Sequence, residues 1–209
     1  MQAERLTTAS GQPVQGPLLI TPRVFSDARG YFFESWNQRT FASALKADGQ
    51  PEPLFVQDNH SRSCRGVLRG LHYQMPPNPQ GKLVRCMLGS ILDVAVDLRC
   101  SSPTFGRWVA AELSAENHQQ LWVPVGFAHG FLALSEHAEV LYKTTDFWSK
   151  DCERSLRWDD PGIAITWPLE AITANSSSSQ SAAALQPLLA EKDAAAPSLA
   201  EAVSAGDVF

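Results

Sequence analysis

The sequence predicts a mainly β protein closed into a sandwich or barrel, on three observations. Short runs rich in β-branched and aromatic residues follow one another from residue 54 to residue 148, glycines punctuate them at or near turns, and little between them reads as helix. An alternating α/β sheet would need a crossover of roughly a dozen residues or more between strands, usually helical, and that pattern is missing.

Taken in order, residues 16–20 (GPLLI) form a short apolar strand, followed by RVF and a polar turn at Ser26-Asp27-Ala28-Arg29-Gly30. YFFESW, residues 31–36, reads as an aromatic strand interrupted by one carboxylate. At Asn37 the pattern changes. Asparagine caps helices well, Phe41, Ala44 and Leu45 recur at helical spacing, and Gly49 stops the run. After Pro51-Glu52-Pro53 come LFVQDN, VLRGLHY, LVRCML, ILDVAVDL, WVAAEL, QLWVPV, GFLAL and EVLYKTTDFW, several of them alternating side to side. In ILDVAVDL, Leu92, Val94, Val96 and Leu98 point to one face while Asp93 and Asp97 fall on the other. Beyond Trp167-Pro168, ANSSSSQSAAALQ is low in complexity, has little to bury and reads as a surface linker. PLLAEKDAAAPSLAEA regains apolar spacing and suits either a short helix docked on the barrel or a loose tail. The expected organisation is a barrel over 1–170, a linker over 171–186 and a tail over 187–209.

A chain of 209 residues fits one medium domain with a sizeable core. Seventeen Lys and Arg against 22 Asp and Glu give a net charge of -5, with the basic residues scattered, so nucleic acid is a poor partner. A locally basic pocket for a small anion remains compatible with that balance. Cys64, Cys86, Cys100 and Cys152 lie far apart with no CxxC pair, and are expected to be reduced core or near-core thiols. The first residues lack the apolar stretch of a secretory signal, and nowhere do about 18 apolar residues run together. The expectation is a soluble, cytoplasmic protein that does not engage membranes.

Two histidine neighbourhoods carry the candidate chemistry. In GVLRGLHYQ, Arg69 and His72 flank a Gly-Leu pair, with Lys82 ten residues beyond. In PVGFAHGF, Pro124 and Gly126 force a turn before His129 and Phe131. A single buried histidine is often only hydrogen-bonded in the core. Clustering with Arg and Lys argues otherwise, because grouped buried cations need a compensating anion. A metal-binding barrel would call for a His-x-His pair, whereas His72-Tyr73-Gln74 offers one imidazole and poor neighbouring ligands, so neither a metal nor another cofactor is expected. An imidazole can take a proton near neutral pH, an ammonium can stabilise the oxyanion formed beside a ketone, and a phenol can return a proton to the opposite face. His72, Lys82 and Tyr142 are the candidates for those roles. For Tyr142 the bland alternative is a barrel aromatic whose hydroxyl reaches water.

FSDARGYFFESWN, FVQDNHS, GVLRGLHYQ, QGKLVRC, ILDVAVDLR, SPTFGRWV, LSAENHQQLWVPVGFAHGF, LYKTTDFW and EKDAAAP appear in an order that closely resembles the dTDP-4-dehydrorhamnose 3,5-epimerase family of the cupin superfamily. The resemblance spans roughly residues 17–197. It implies a cupin-like double-stranded β-helix, or jelly-roll barrel, with a short helix near the N-terminus and short C-terminal helices. It further implies His72 as general base, Asp193 as its paired carboxylate, Lys82 as the residue steadying the enolate oxygen, and Tyr142 as the acid on the far face. His129, Arg69 and Phe131 would line the same pocket, the guanidinium suiting a diphosphate. Arg29, Phe32 and Glu34, with Gln57 and Asn59, resemble the nucleotide-binding set. The family is homodimeric, with an N-terminal segment serving the neighbour's site, so Arg29 and Glu34 are candidates for that exchange. The implied substrate is dTDP-4-dehydro-6-deoxy-α-D-glucose, inverted at C3 and C5. One departure is the Ser- and Ala-rich stretch before Lys192-Asp193, where the family has a short link. Loop-closure cost rises slowly with length, so Asp193 can still return to His72.

Overall fold

The computed structural model describes residues 1–172 and 186–209, so most of the expected linker lies outside the described residues. In chain order the strands are β1 (Gln2–Thr7), β2 (Pro13–Thr21), β3 (Phe25–Asp27), β4 (Gly30–Phe32), β5 (Gln57–Cys64), β6 (Leu68–Gln74) and β7 (Lys82–Leu88). They continue as β8 (Ser90–Asp97), β9 (Trp108–Ser114), β10 (Gln120–Val123), β11 (Phe127–Ala133), β12 (His137–Thr144) and β13 (Glu153–Ser155). Helix α1 (Gln38–Ala47) lies between β4 and β5, and α2 (Glu191–Ala194) and α3 (Leu199–Ala205) follow a 3-10 turn at Leu169–Ile172.

Two antiparallel sheets face each other, one in the order β1-β2-β10-β7-β12-β5 and the other β13-β6-β11-β8-β9. The turn-separated strands predict a closed sandwich or barrel, and the arrangement is the jelly-roll barrel that the family resemblance implies. Its interior holds Val84, Ile91, Ala95, Leu121, Phe127, Phe131 and Val140, contributed by both sheets. The ILDVAVDL alternation is as expected, but both faces are buried. Val94, Val96 and Leu98 point outward into a second apolar layer, while Asp93 and Asp97 are fully enclosed on the barrel side. Asp97 survives there because Arg99, Ser102 and Thr104 all donate to it, and these bonds outweigh the burial that would otherwise raise its carboxyl.

That outward layer explains the tail. Leu189, Leu199, Ala202, Val208 and Phe209 pack with Leu68, Leu71, Tyr73, Trp158 and Trp167 over the outer face of the five-stranded sheet. Leu188 exchanges backbone bonds with Gly66 and Leu68, at 2.8 and 3.0 Å. Phe209 does the same with Leu98 and Cys100, at 2.9 and 2.6 Å. The tail is docked because an apolar sheet face needs a cover, worth roughly 25 cal/mol per Å² of apolar area removed from water. Ser198 and Glu201 form a reciprocal capping box at α3, and Gly206 closes it.

Helix α1 starts where expected: the Asn37 side chain accepts from the backbone N–H groups of Arg39 and Thr40, a cap worth about 1 kcal/mol. Phe41 and Leu45 then bury against Leu18, Ile20, Leu83 and Trp122 on the outside of the six-stranded sheet. Two expectations need correction. YFFESW is not a continuous strand: β4 ends at Phe32, since among the described residues its sole ladder is with the three-residue β3 and neither joins a larger sheet. Cys64 and Cys100 are exposed, not core, because Cys64 points away at the end of edge strand β5 and Cys100 sits in a turn. Cys86 and Cys152 are buried, and all four are free.

Candidate active site

A cavity of about 480 Å³ opens between the two sheets and is roofed by the tail. Arg69 and His72 reach it from β6, and His129 and Phe131 from β11, all in the five-stranded sheet. Lys82 on β7 and Tyr142 on β12 enter from the opposite, six-stranded sheet.

Arg69 and His72 are three residues apart, so strict alternation would put them on opposite faces. The register resolves this: His72 pairs with His129 and Arg69 with Phe131, leaving one extra residue on β6. It is a bulge, and Gly70 occupies it. At φ 129°, a Cβ on Gly70 would meet the Gly130 Cα at 2.5 Å and the His129 carbonyl at 2.8 Å. The Arg69-Gly70-Leu71-His72 spacing, with its bulge at Gly70, is thus what aims both side chains into one pocket.

Two imidazoles are each held by a carboxylate. His72 Nε2 lies 2.6 Å from Asp193 Oδ1, a contact between β6 and α2, and Asp193 is buried. The same carboxylate accepts a longer bond from the Gly70 N–H at 3.5 Å. His129 Nε2 lies 2.7 Å from Asp93 Oδ1, across neighbouring strands. The second oxygen of Asp93 is buried with no hydrogen-bond partner among the described residues. Burial lowers the His72 pKa and Asp193 partly restores it, so the ring favours the neutral, proton-accepting form.

Lys82 is buried and donates to the His72 carbonyl at 3.2 Å. Burial brings its ammonium down to about 8, opposed by the charges of Asp93 and Glu153. It therefore stays largely cationic at neutral pH while being poised close to release. Burial raises the Tyr142 hydroxyl, which Arg69 partly counters, keeping it protonated as a donor. Arg69 itself donates to Ser63 Oγ at 3.0 Å and the Arg62 carbonyl at 3.2 Å.

The remaining candidates lie elsewhere. Gln57 donates to Asn59 at 3.0 Å, and Asn59 is paired with Tyr142 across β5 and β12, one strand from the cavity. Arg29 is bound to Asp27 at the tip of the β3–β4 hairpin, Phe32 is exposed, and Glu34 accepts from Asn37. None of these five lines the cavity of its own chain. Sequence reasoning overlooked Glu153, Lys192 and Trp148, which do line it. Lys192 and Glu153 are ion-paired at 3.0 Å, a bond that outweighs burial and holds the Glu153 carboxyl below its usual range. Lys192 and Trp148 stand inside quoted motifs, but nothing local marks Glu153.

A neutral imidazole backed by a carboxylate on one sheet, and a phenol and ammonium on the other, suit proton removal and return across one planar carbanion. The family profile described as dTDP-4-dehydrorhamnose 3,5-epimerase matches residues 12–201. The chain belongs to that family. A dTDP-4-dehydrorhamnose 3,5-epimerase of Pseudomonas aeruginosa is 56% identical over 185 residues, covering 88% of this chain and 92% of that protein. A Legionella pneumophila dTDP-6-deoxy-D-glucose-3,5-epimerase, solved with dTDP-4-keto-L-rhamnose, superposes with a TM-score of 0.78 at 41% identity, covering 95% and 94% of the two chains. A 3'-monoepimerase of Streptomyces bikiniensis, solved with dTDP-quinovose, gives 0.77 at 34% identity over 92% and 88%. As a family member the chain is an isomerase acting on a nucleotide sugar, and among the described residues no helix is long and apolar enough to cross a membrane.

Proposed function

We propose that the chain inverts C3 and C5 of dTDP-4-dehydro-6-deoxy-α-D-glucose, giving dTDP-4-dehydro-β-L-rhamnose, with His72 as base and Tyr142 as acid. The observation that carries this reading is the entry of His72 and Tyr142 into one cavity from opposite sheets. Each inverted carbon lies next to the 4-keto group. His72 takes the proton, the C–H electron pair moves into the ketone to form an enolate, and the Lys82 ammonium stabilises that oxygen. The Tyr142 hydroxyl then protonates the carbon from the far face, and the two residues exchange the net proton with solvent between turnovers. Asp193 orients His72, and no oxidant or reductant is consumed.

Arg69 suits the diphosphate. The nucleotide set is split, with Gln57 and Asn59 near the cavity and Arg29, Phe32 and Glu34 on a hairpin that does not reach it. A homodimer in which the hairpin serves the neighbouring site accounts for that separation and for the exposed rings of Phe25, Tyr31 and Phe32. The setting we propose is the cytoplasm.

Proton NMR of the product formed in D2O tests the reading. Deuterium is expected at both C3 and C5, and label at one carbon alone would make the enzyme a single-site epimerase. His72→Asn is expected to lower both label uptake and turnover at least about a hundredfold, the scale of a positioned general base. Near-normal turnover in that variant removes His72 from the role.

A further inference from the structure

The β3–β4 hairpin belongs to neither large sheet, so its placement depends on what touches it. The contact is aromatic. The His118 imidazole packs against both Tyr31 and Phe33, with ring centroids 4.7 and 4.8 Å away at interplanar angles of 44° and 30°, and the Tyr31 and Phe33 rings touch each other at 6.0 Å, so the three rings form a triangular cluster.

His118 is built to do this. It sits in the turn between β9 and β10 at φ 56°, a left-handed conformation that a histidine adopts rarely. The neighbouring Asn117 locks the turn, accepting from the backbone of Ser114 and Gln119 at 3.1 and 3.0 Å and donating to the Glu112 carbonyl at 2.9 Å. The same turn is tied to both roots of the hairpin. Gln119 donates to Thr21 Oγ1 at 3.0 Å and Gln120 to the Ser35 carbonyl at 2.5 Å.

Side chains along an extended segment alternate, so Tyr31 and Phe33 on the His118 side put Phe32 on the other. Phe32 pairs in register with Phe25, whose ring carries the Arg23 guanidinium 4.7 Å from its centroid. In this arrangement Phe33 is half-buried, while Tyr31 and Phe32 stay 61% and 68% exposed.

We propose that His118 is a positioning residue for nucleotide binding: by packing against Tyr31 and Phe33 in one three-ring cluster it fixes the hairpin so that the Phe32 face is presented to the nucleotide end of the substrate. This rests on the reading of the hairpin as part of the nucleotide-binding set. It makes His118 a determinant of affinity and not of the proton transfers, which take place on other strands.

The test is steady-state kinetics of the full-length protein with its dTDP-sugar substrate, comparing His118→Ala, His118→Phe and Phe32→Ala. His118→Ala is expected to raise KM about tenfold, equivalent to about 1.4 kcal/mol, with kcat within about twofold of the parent. His118→Phe, which keeps a ring packed against Tyr31 and Phe33, is expected to restore KM to within about twofold. Phe32→Ala should raise KM as well. If Phe32→Ala raises KM and His118→Ala does not, the positioning role of His118 is wrong while the hairpin's role stands. If Phe32→Ala leaves KM unchanged, the hairpin does not touch the nucleotide and both readings fall. A His118→Ala variant that loses kcat at unchanged KM, or that His118→Phe does not rescue, also overturns the positioning role.

Discussion

His72–Asp193 and His129–Asp93 are alike in chemistry and opposite in construction. In each, an imidazole Nε2 meets a buried carboxylate at 2.6 or 2.7 Å, and the two histidines are direct partners across the β6–β11 ladder. Asp93 comes from the strand beside His129, so that pair forms whenever the barrel forms. Asp193 arrives from 121 positions along the chain, on a tail that must dock first. One pair is part of the barrel, whereas the other is assembled on it. If His72 is the base, as proposed, its carboxylate partner is held by the docked tail, where Leu188, Leu189 and Ala190 also line the cavity.

The largest effect expected from this contrast falls on Asp193→Asn. The amide can still bond His72, but it withdraws the charge and can stabilise the wrong tautomer. kcat should fall about a hundredfold or more, as for other histidine bases deprived of their carboxylate. The pH profile gives a second readout. Burial lowers the His72 pKa and the Asp193 charge opposes that, so removing the charge takes the pKa lower still. The acid limb of kcat/KM should therefore move to lower pH. A shift to higher pH, or an unchanged kcat, would break the assignment of Asp193 to the base.

Asp93→Asn should behave differently, with a smaller effect. Its bond to His129 survives in the amide, so the barrel pair keeps its geometry. What changes is Lys82, whose ammonium is brought down to about 8 by burial and held there against a further fall by Asp93 and Glu153. Without the Asp93 charge the ammonium is lost at lower pH. Any alkaline fall in kcat that comes from loss of the Lys82 proton should therefore move toward neutrality relative to the parent, while kcat near pH 6.5 drops no more than about tenfold. If the variant loses as much activity at pH 6.5 as Asp193→Asn does, the two pairs are not distinct in function.

The contrast also marks what was legible in the chain. Strand alternation put Asp93 and Asp97 on one face, and the Asn37 cap with Phe41 and Leu45 announced α1, because these depend on local periodicity. The joint aim of Arg69 and His72 was hidden, since it needs a bulge at Gly70 whose signal is the close approach of Gly130 on another strand. Asp193 could be named by family resemblance alone. No local pattern ties EKDAAAP to His72, although the outward apolar row Val94, Val96 and Leu98 did call for a cover. Glu153 escaped notice altogether: a lone carboxylate in a three-residue edge strand has no periodicity to read.

The smallest expected effect asks how far the assembled pair depends on the rest of the tail. Tyr73 is next to His72 but points to the outer face, where its hydroxyl donates to the Asp207 carbonyl at 2.7 Å. Burial raises that hydroxyl to about 12, so it stays a donor throughout the working pH range. Tyr73→Phe removes one neutral hydrogen bond and should lower stability by about 1 kcal/mol, measurable by urea denaturation. Asp207 lies well beyond α2, and Leu188, Asp193 and Leu199 keep their own bonds to the barrel. Loosening the end should therefore leave α2 seated and kcat within about twofold. A large loss of kcat would mean that the tail docks as one cooperative unit, with the far end holding Asp193 against His72.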